Sequence, residues 1–189
     1  NPLFVTAGNE PIIEGSTFTY PNQDTYTLGS APADATSEGW YKAGTNTGGD
    51  QRLNYAQNRI CWNAWASNAD GKTLAVATDL ENLPNGYYKV AGDLITQAGF
   101  VTDQHVFGTS ALQSANSAPL TDALWSDDGY GTWTTLTTEK VLVHDGKLTI
   151  GASGTMANAN QSGWFCATNF KLYFVGKATD QEIADALAA

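Results

Sequence analysis

The chain has 189 residues and carries 9 Lys and Arg against 19 Asp and Glu, a formal net charge of −10. This length is enough for one well-cored domain. A chain this acidic lacks the broad basic surface that binds phosphate backbones or anionic membranes, so we expect neither nucleic acid nor a membrane as a partner. No apolar run in the sequence reaches the length of a transmembrane helix.

The composition and the first residue indicate a piece of a secreted protein. Few basic residues together with many Thr, Asn, Gly and Trp are typical of extracytoplasmic proteins, so we expect an extracellular or cell-surface location. The chain begins at Asn1 rather than Met, and we interpret it as a processed or excised part of a longer, multi-modular protein. Cys61 and Cys166 both lie in strand-like runs, where a disulfide and two buried free thiols are equally compatible with the pattern.

Short β-branched and aromatic runs, separated by turn signals, predict β-strands along most of the chain. In chain order these runs are 1–5, 10–20, 59–68, 73–80, 87–96 and 104–110. A loop at 28–50, rich in Gly, Ser, Thr and Ala, carries Trp40 and Tyr41. Loops of that length inside a compact domain are usually functional.

The run 59–68 has one apolar face and one polar face. The apolar face, which we assign to the core, holds Ile60, Trp62, Ala64 and Ala66. The other face carries Arg59, Asn63 and Trp65, and period-two spacing points all three to the same side of a sheet. An Arg, an Asn and a Trp together indicate a binding surface.

The run 87–96 repeats this division. Tyr88, Val90 and Leu94 alternate with Lys89 and Asp93. If both runs belong to one sheet, Lys89 and Asp93 add hydrogen-bonding groups to the surface that carries Trp65. We expect the loops with Trp40, Tyr41 and Trp125 to close over one edge of that surface.

The stretch 139–176 contains the two clearest β signals. Alternating apolar residues on either side of His144–Lys147, which includes Asp145-Gly146, predict a hairpin. Apolar residues on both faces of 164–175 predict a strand covered on both sides. We assign its residue Trp164 to the core because Cys166, Phe170, Leu172 and Phe174 share its period-two face, with Thr168 as the polar exception.

The C-terminal tail differs from the rest. Thr179 and Glu182 form a capping-box pattern, and Ile183 and Leu187 follow at helical spacing. No useful helical periodicity precedes them. Short strands followed by one late helix predict an all-β, antiparallel β-sandwich at 1–176 and a helical linker toward another module at 177–189.

Three segments in order resemble a known family. LPNGYYKV at 83–90, VHDGKLTIG at 143–151 and WFCATNFKLY at 164–173 are similar to the strand opening, penultimate hairpin and closing strand of galactose-binding-like jelly-roll carbohydrate-binding modules. The resemblance is to modules of secreted glycan-degrading proteins of Bacteroidetes, and it covers the second half of the chain better than the first. It implies a jelly-roll β-sandwich that binds sugars without cleaving them and requires no cofactor.

The family often holds a structural calcium ion, aided by an Asp in the closing strand. Thr168 occupies that position here. Calcium also takes neutral oxygens, so Asn169 remains a candidate ligand, together with Asn9, Glu10 and Glu14 near the first strands.

A sugar site needs flat aromatic side chains and polar groups that bond hydroxyls. The chain has 6 Trp and 8 Tyr, and the segment 124–136 places several of them around an Asp-Asp-Gly turn. Trp133 is a weaker candidate. The predicted ligand-binding residues are Trp40, Tyr41, Arg59, Asn63, Trp65, Lys89, Asp93, Trp125, Asp127 and Tyr130.

The leading hypothesis is a monomeric, non-catalytic module that binds a complex polysaccharide, such as one of plant cell walls. One alternative is a β-sandwich that serves as a spacer or protein-interaction domain. Another is a small jelly-roll hydrolase or lyase, although no pair of acidic residues is singled out for glycoside cleavage. Neither a zinc-site spacing nor a nucleophile elbow occurs in the sequence.

Overall fold

A computed structural model describes residues 37, 39–56, 59–96, 101–121, 132–157 and 162–189. Within these ranges the chain forms eleven strands and one helix. The strands are β1 (Trp40–Lys42), β2 (Asp50–Ala56), β3 (Arg59–Ser67), β4 (Thr73–Leu80), β5 (Gly86–Thr96), β6 (Val101–Thr109), β7 (Ser114–Asn116), β8 (Thr134–Thr137), β9 (Val141–Val143), β10 (Leu148–Met156) and β11 (Ser162–Gly176), and the helix is α1 (Asp180–Ala188).

The strands form two antiparallel sheets that face each other across one core. The five-stranded sheet has the order β1-β4-β10-β6-β7. The six-stranded sheet has the order β2-β3-β11-β5-β8, and β9 pairs with one end of β5. The prediction of an all-β, antiparallel β-sandwich with a short C-terminal helix is confirmed.

Alternating side chains of both sheets fill the core, because each strand turns one apolar face inward. The six-stranded sheet contributes Trp62, Tyr88, Val90, Leu94 and Phe165, and the five-stranded sheet contributes Leu74, Val76, Val106 and Ile150. The predicted core faces of 59–68 and 87–96 are therefore confirmed, and Trp62 is buried as expected.

The segment around Asp145 and Gly146 turns the chain but does not make the predicted hairpin. β9 pairs with β5 in one sheet, whereas β10 pairs with β4 and β6 in the other. Gly146 has a φ of 78°, and the Lys147 backbone N–H donates to Asp145 Oδ1 at 3.0 Å. A turn signal specifies a local reversal of the chain. It does not specify that the flanking strands pair, and here the turn carries the chain between the sheets.

A bulge in β11 overturns the assignment of Trp164 to the core. The pairing with β5 shifts between Thr168 and Lys171, and Asn169 adopts a φ of 54°. Phe165 and Ala167 before the bulge and Phe170, Leu172 and Phe174 after it all lie in the core. Because the extra residue changes the phase of the alternation, Trp164 lies on the opposite face of the sheet from the core.

The helix α1 begins as the capping pattern predicts. The Glu182 backbone N–H donates to Thr179 Oγ1 at 3.1 Å. None of the helical residues is buried. Among the described residues, no helix has the length and apolar character needed to cross a membrane.

Candidate functional site

The solvent-side surface of the six-stranded sheet, called the outer face below, gathers most of the polar residues predicted for the site. β3 and β5 both pair with β11, so they lie in one sheet. Arg59, Asn63 and Trp65 alternate with core residues of β3, and Lys89 and Asp93 alternate with core residues of β5. All five therefore project from the same face, as the alternation predicts.

One end of the outer face, the tryptophan end, is built by Trp65 and Trp164. These residues are directly opposite on β3 and β11. Directly opposed side chains in antiparallel strands have Cβ atoms about 4.5–5.5 Å apart, so the two indoles are neighbours. Trp65 is 37% exposed, which is unusual for so large an apolar side chain, while Trp164 is partly buried. The pair presents aromatic surface to solvent.

A small second core lies under this aromatic surface. Cys61, Ile95 and Cys166 are buried together on the outer face, with Trp133 and Trp164 packed against them. Both thiols are free. A hydrogen bond with Cys61, together with complete burial, raises the pKa of the Cys166 thiol well above its ordinary value, so it stays protonated. The cluster supports the side chains of Trp133 and Trp164.

The centre of the outer face is a hydrogen-bonded network around the buried carboxylate of Asp93. Arg59 Nη1 donates to Oδ2 at 2.7 Å, Asn169 Nδ2 donates to Oδ2 at 3.1 Å, and Thr135 Oγ1 donates to Oδ1 at 2.6 Å. The Arg59 guanidinium also lies 4.7 Å from the centre of the Trp133 ring. These contacts fix the orientation of Arg59.

The protonation state of Asp93 follows from the same contacts. Burial by itself would raise the pKa of Asp93, but the hydrogen bonds from Thr135, Asn169 and Arg59 and the charge of Arg59 lower the pKa below its ordinary value. Asp93 is therefore a carboxylate at neutral pH. The Arg59 side chain is 41% exposed, against 9% for Asp93, so the guanidinium retains N–H groups that can donate to a ligand.

The other end of the outer face, the lysine end, is built by Lys89, Lys171 and Tyr173. Lys89 is opposite Tyr173 on β11, and Lys171 precedes Tyr173 by two residues on the same face. Beyond them, the Lys140 ammonium lies 4.3 Å from the centre of the Tyr87 ring. This end combines aromatic rings with ammonium groups.

The expectation that Trp40 and Tyr41 lie in a loop that closes over one edge of the outer face is wrong. Both residues belong to β1, at the edge of the five-stranded sheet, because β1 pairs with β4. The Trp40 ring packs against Phe170 with ring centres 4.8 Å apart, which places it against the core. The Tyr41 hydroxyl donates to Asp79 Oδ1 at 2.9 Å.

Several predicted residues lie outside the described part of the chain. These are Trp125, Asp127 and Tyr130 of the aromatic segment and Asn9, Glu10 and Glu14 of the calcium site. The remaining calcium candidate, Asn169, uses its amide nitrogen to bond Asp93. Within the ranges that the structure describes, no three His, Cys, Asp or Glu side chains are grouped so as to hold a metal ion. The calcium site stays a prediction.

The structure also places on the outer face two residues that were not among the predicted ligand-binding residues, Trp164 and Lys171, and Trp133, which was a weaker candidate. A usable signal for Trp164 was present: Thr168 is a polar residue on the face otherwise assigned to the core. A polar interruption of that kind is expected where a bulge changes the alternation. The position of Trp133 next to Arg59 depends on β8 pairing with β5, which no local pattern specifies.

In the part of the chain that the structure describes, the outer face is thus a long surface with aromatic rings and fixed hydrogen-bonding groups. No family model matches the sequence, and no curated protein matches it. Solved structures of similar fold include TmCBM61 in complex with β-1,4-galactotriose, with 16% identity, a TM-score of 0.47 and coverage of 72% of this chain and 89% of that chain.

Two further structures of carbohydrate-binding modules are similar to this chain. The family 11 module from Clostridium thermocellum, in complex with a β-1,3-1,4-mixed-linked tetrasaccharide, has 13% identity, a TM-score of 0.41 and coverage of 81% and 100%. The module of lichenase 5A from Cellvibrio mixtus, in complex with cellotriose, has 17% identity, a TM-score of 0.36 and coverage of 72% and 87%. The likeness concerns the fold, and no residue role in this chain rests on it.

Proposed function

We propose that the protein is a non-catalytic carbohydrate-binding module and that a polysaccharide chain lies along the outer face. The observation that carries the proposal is that Trp65 is exposed beside Trp164. The guanidinium of Arg59, held by Asp93, lies on the same face. Removing apolar surface from water is favourable by about 25 cal/mol per Å², so a ligand that covers the Trp65 indole gains free energy. A sugar ring can do this, because its C–H face covers the indole while its hydroxyls accept bonds from Arg59 and Asn63.

The length of the outer face supports a polymer as the ligand. Trp164 and Tyr173 are nine residues apart on β11. At a rise of about 3.3 Å per residue, the aromatic groups span about 30 Å. That distance accommodates several consecutive sugar rings, whereas a monosaccharide would contact only one end.

The charges support binding without cleavage. Glycoside hydrolysis requires two carboxyl groups, one of which must be protonated. On the strands that form the described outer face the carboxylates are Asp50 and Asp93, and each pairs with an Arg at 2.7 Å. Because its pKa is lowered, Asp93 holds no proton to give at neutral pH. The module therefore positions a glycan, and in its biological setting we propose that it does so for a larger, secreted protein that acts on complex polysaccharides such as those of plant cell walls.

Trp65→Ala tests this proposal. Loss of a stacking platform should weaken binding to a soluble polysaccharide by about 1–3 kcal/mol, which is roughly fivefold to 150-fold. Retardation in native gels that contain polysaccharide, followed by titration calorimetry, measures the change. The circular dichroism spectrum should stay that of the wild type, since Trp65 points away from the core.

Tyr41→Ala is the matched control. Tyr41 is 42% exposed, close to Trp65 in exposure, but it lies on the other sheet. It should bind like the wild type. The proposal fails if Trp65→Ala also binds like the wild type, if no polysaccharide retards the wild type, or if the purified protein releases cleavage products.

A further inference from the structure

The cationic side chains of this acidic protein are concentrated on the outer face. The chain has 9 Lys and Arg and a net charge of −10. Four of these cations project from the outer face: Arg52, Arg59, Lys89 and Lys171. A fifth, Lys140, lies at its edge over Tyr87. A module built only for neutral sugars has no need of this distribution.

The two arginines are neutralised, whereas the two lysines are not. Arg52 pairs with Asp50, and Arg59 pairs with Asp93. Among the described residues, neither Lys89 nor Lys171 has an ion-pair partner within 4.0 Å. Their excess positive charge is therefore available to a ligand.

The two lysines are also close to each other. Lys89 is opposite Tyr173 and Lys171 is opposite Ala91, so the lysines occupy diagonal positions on neighbouring strands. Diagonal neighbours on one face are about 7–8 Å apart at the backbone, within reach of long side chains. Two ammonium groups at that range repel each other. An anion between the two ammonium groups would relieve this repulsion, and the ring of Tyr173 lies beside that position.

Tyr87 and Lys140 extend the same arrangement toward the end of the sheet. The Lys140 ammonium lies 4.3 Å from the ring centre of Tyr87. One carboxylate is nearby: Glu182 of α1 accepts a hydrogen bond from the Tyr87 hydroxyl, which raises the pKa of Tyr87. Glu139, next to Lys140 in the chain, is exposed. Against these two carboxylates the end carries three ammonium groups, Lys89, Lys140 and Lys171.

We propose that the lysine end binds the carboxylate groups of an acidic polysaccharide, one that contains uronic acid residues. The proposal rests on the function proposed above and specifies the ligand of the same face. Sugar rings stack on Trp65 at one end and on Tyr173 at the other, and Lys89 and Lys171 bind a uronate carboxylate between strands β5 and β11. The net charge of −10 repels dense polyanions such as nucleic acids, so the carboxylate must be presented by a chain that also gains from stacking and hydroxyl contacts.

The test uses polygalacturonan, alginate and glucuronoxylan, each beside its carboxyl-reduced product. Reduction keeps the sugar backbone and removes the charge, so each pair isolates the carboxylate. We expect at least one acidic polymer to bind about tenfold or more tightly than its reduced product at low salt, with the difference shrinking as salt is raised.

Lys89→Gln/Lys171→Gln tests the residues. The double variant keeps much of the aliphatic stems, removes both charges and should lose the preference for the acidic polymer while keeping the affinity for the reduced one. Lys42→Gln/Lys72→Gln, which changes two exposed lysines on β1 and just before β4, both part of the five-stranded sheet, is the control and should keep the preference.

The outcomes separate the two proposals. The inference is wrong if none of the acidic polymers binds better than its reduced product, or if the double variant keeps the preference. In either case, binding of neutral polysaccharides that depends on Trp65 leaves the proposed function standing. If neither form of any polymer binds and neutral polysaccharides also fail, the proposed function is wrong and this inference falls with it.

Discussion

Asp93→Asn should destabilise the fold strongly because Asp93 is the acceptor on which three donors converge. Arg59, Asn169 and Thr135 all donate to its two oxygens, at 2.7, 3.1 and 2.6 Å. Asn keeps the shape but replaces one acceptor oxygen with an NH₂ group. At least one of the converging donors then faces a second donor inside a buried site.

The expected loss is about 2–3 kcal/mol at pH 7. Removing one partner of a fully buried ion pair costs about 3–5 kcal/mol, because a charge is left buried. Arg59 is 41% exposed and can turn toward water, so the cost falls below that range. An unsatisfied buried polar group costs about 1–3 kcal/mol, and this contribution remains for Asn169 and Thr135.

The loss of unfolding free energy in Asp93→Asn should become smaller as the pH falls. The native contacts hold the pKa of Asp93 below its ordinary value, so the carboxylate stabilises the fold fully above the pKa of the unfolded chain, about 3.9. This contribution disappears as the pH falls through the lower pKa of the folded state. Urea denaturation, followed by tryptophan fluorescence, should therefore show a smaller difference between variant and wild type at pH 3 than at pH 7.

Asp50→Asn is the matched control on the same face. Asp50 and Arg52 are also 2.7 Å apart, but their side chains are 45% and 48% exposed. Exposed pairs contribute about 0–1 kcal/mol, so this variant should remain near the wild type. The explanation from burial is refuted if the two variants differ by less than about 0.5 kcal/mol at pH 7.

Three other predictions concern the core, the thiols and calcium. Trp62→Ala should cost about 3–5 kcal/mol of unfolding free energy, in contrast to Trp65→Ala on the other face of β3, and a loss below about 1 kcal/mol would contradict the burial of Trp62. Cys61 and Cys166 should not react with a thiol reagent in the native protein, since both are fully buried and free, and two thiols should react after unfolding. Fast reaction of the native protein would contradict their burial, and a mass lower by about 2 Da would show a disulfide instead of free thiols. If calcium binds near Asn169 and the first strands, excess chelator should lower the melting temperature, and an unchanged melting temperature and unchanged sugar binding would exclude it.

Local alternation in the sequence was enough to determine which side chains of β3 and β5 share a face. Arg59, Asn63 and Trp65 are separated by even numbers of residues, and the core residues Ile60, Trp62 and Ala64 alternate with that set. In a strand this spacing fixes the relative direction of side chains without reference to any other part of the chain. The capping pattern at Thr179 likewise specified the start of α1, because its hydrogen bond spans only three residues.

Tertiary structure decided where those faces meet. Trp40 packs on Phe170, far away in the chain, and β9 and β10 enter different sheets despite the turn that joins them. The bulge at Asn169 moved Trp164 from the predicted core to the side of Trp65. Lys89 and Lys171 became neighbours only through the pairing of β5 with β11. Hydrogen bonding between distant strands selects the pairing partners and the register, and no local pattern encodes that choice. The faces of single strands could therefore be assigned from the sequence, whereas the site that these faces build together could not.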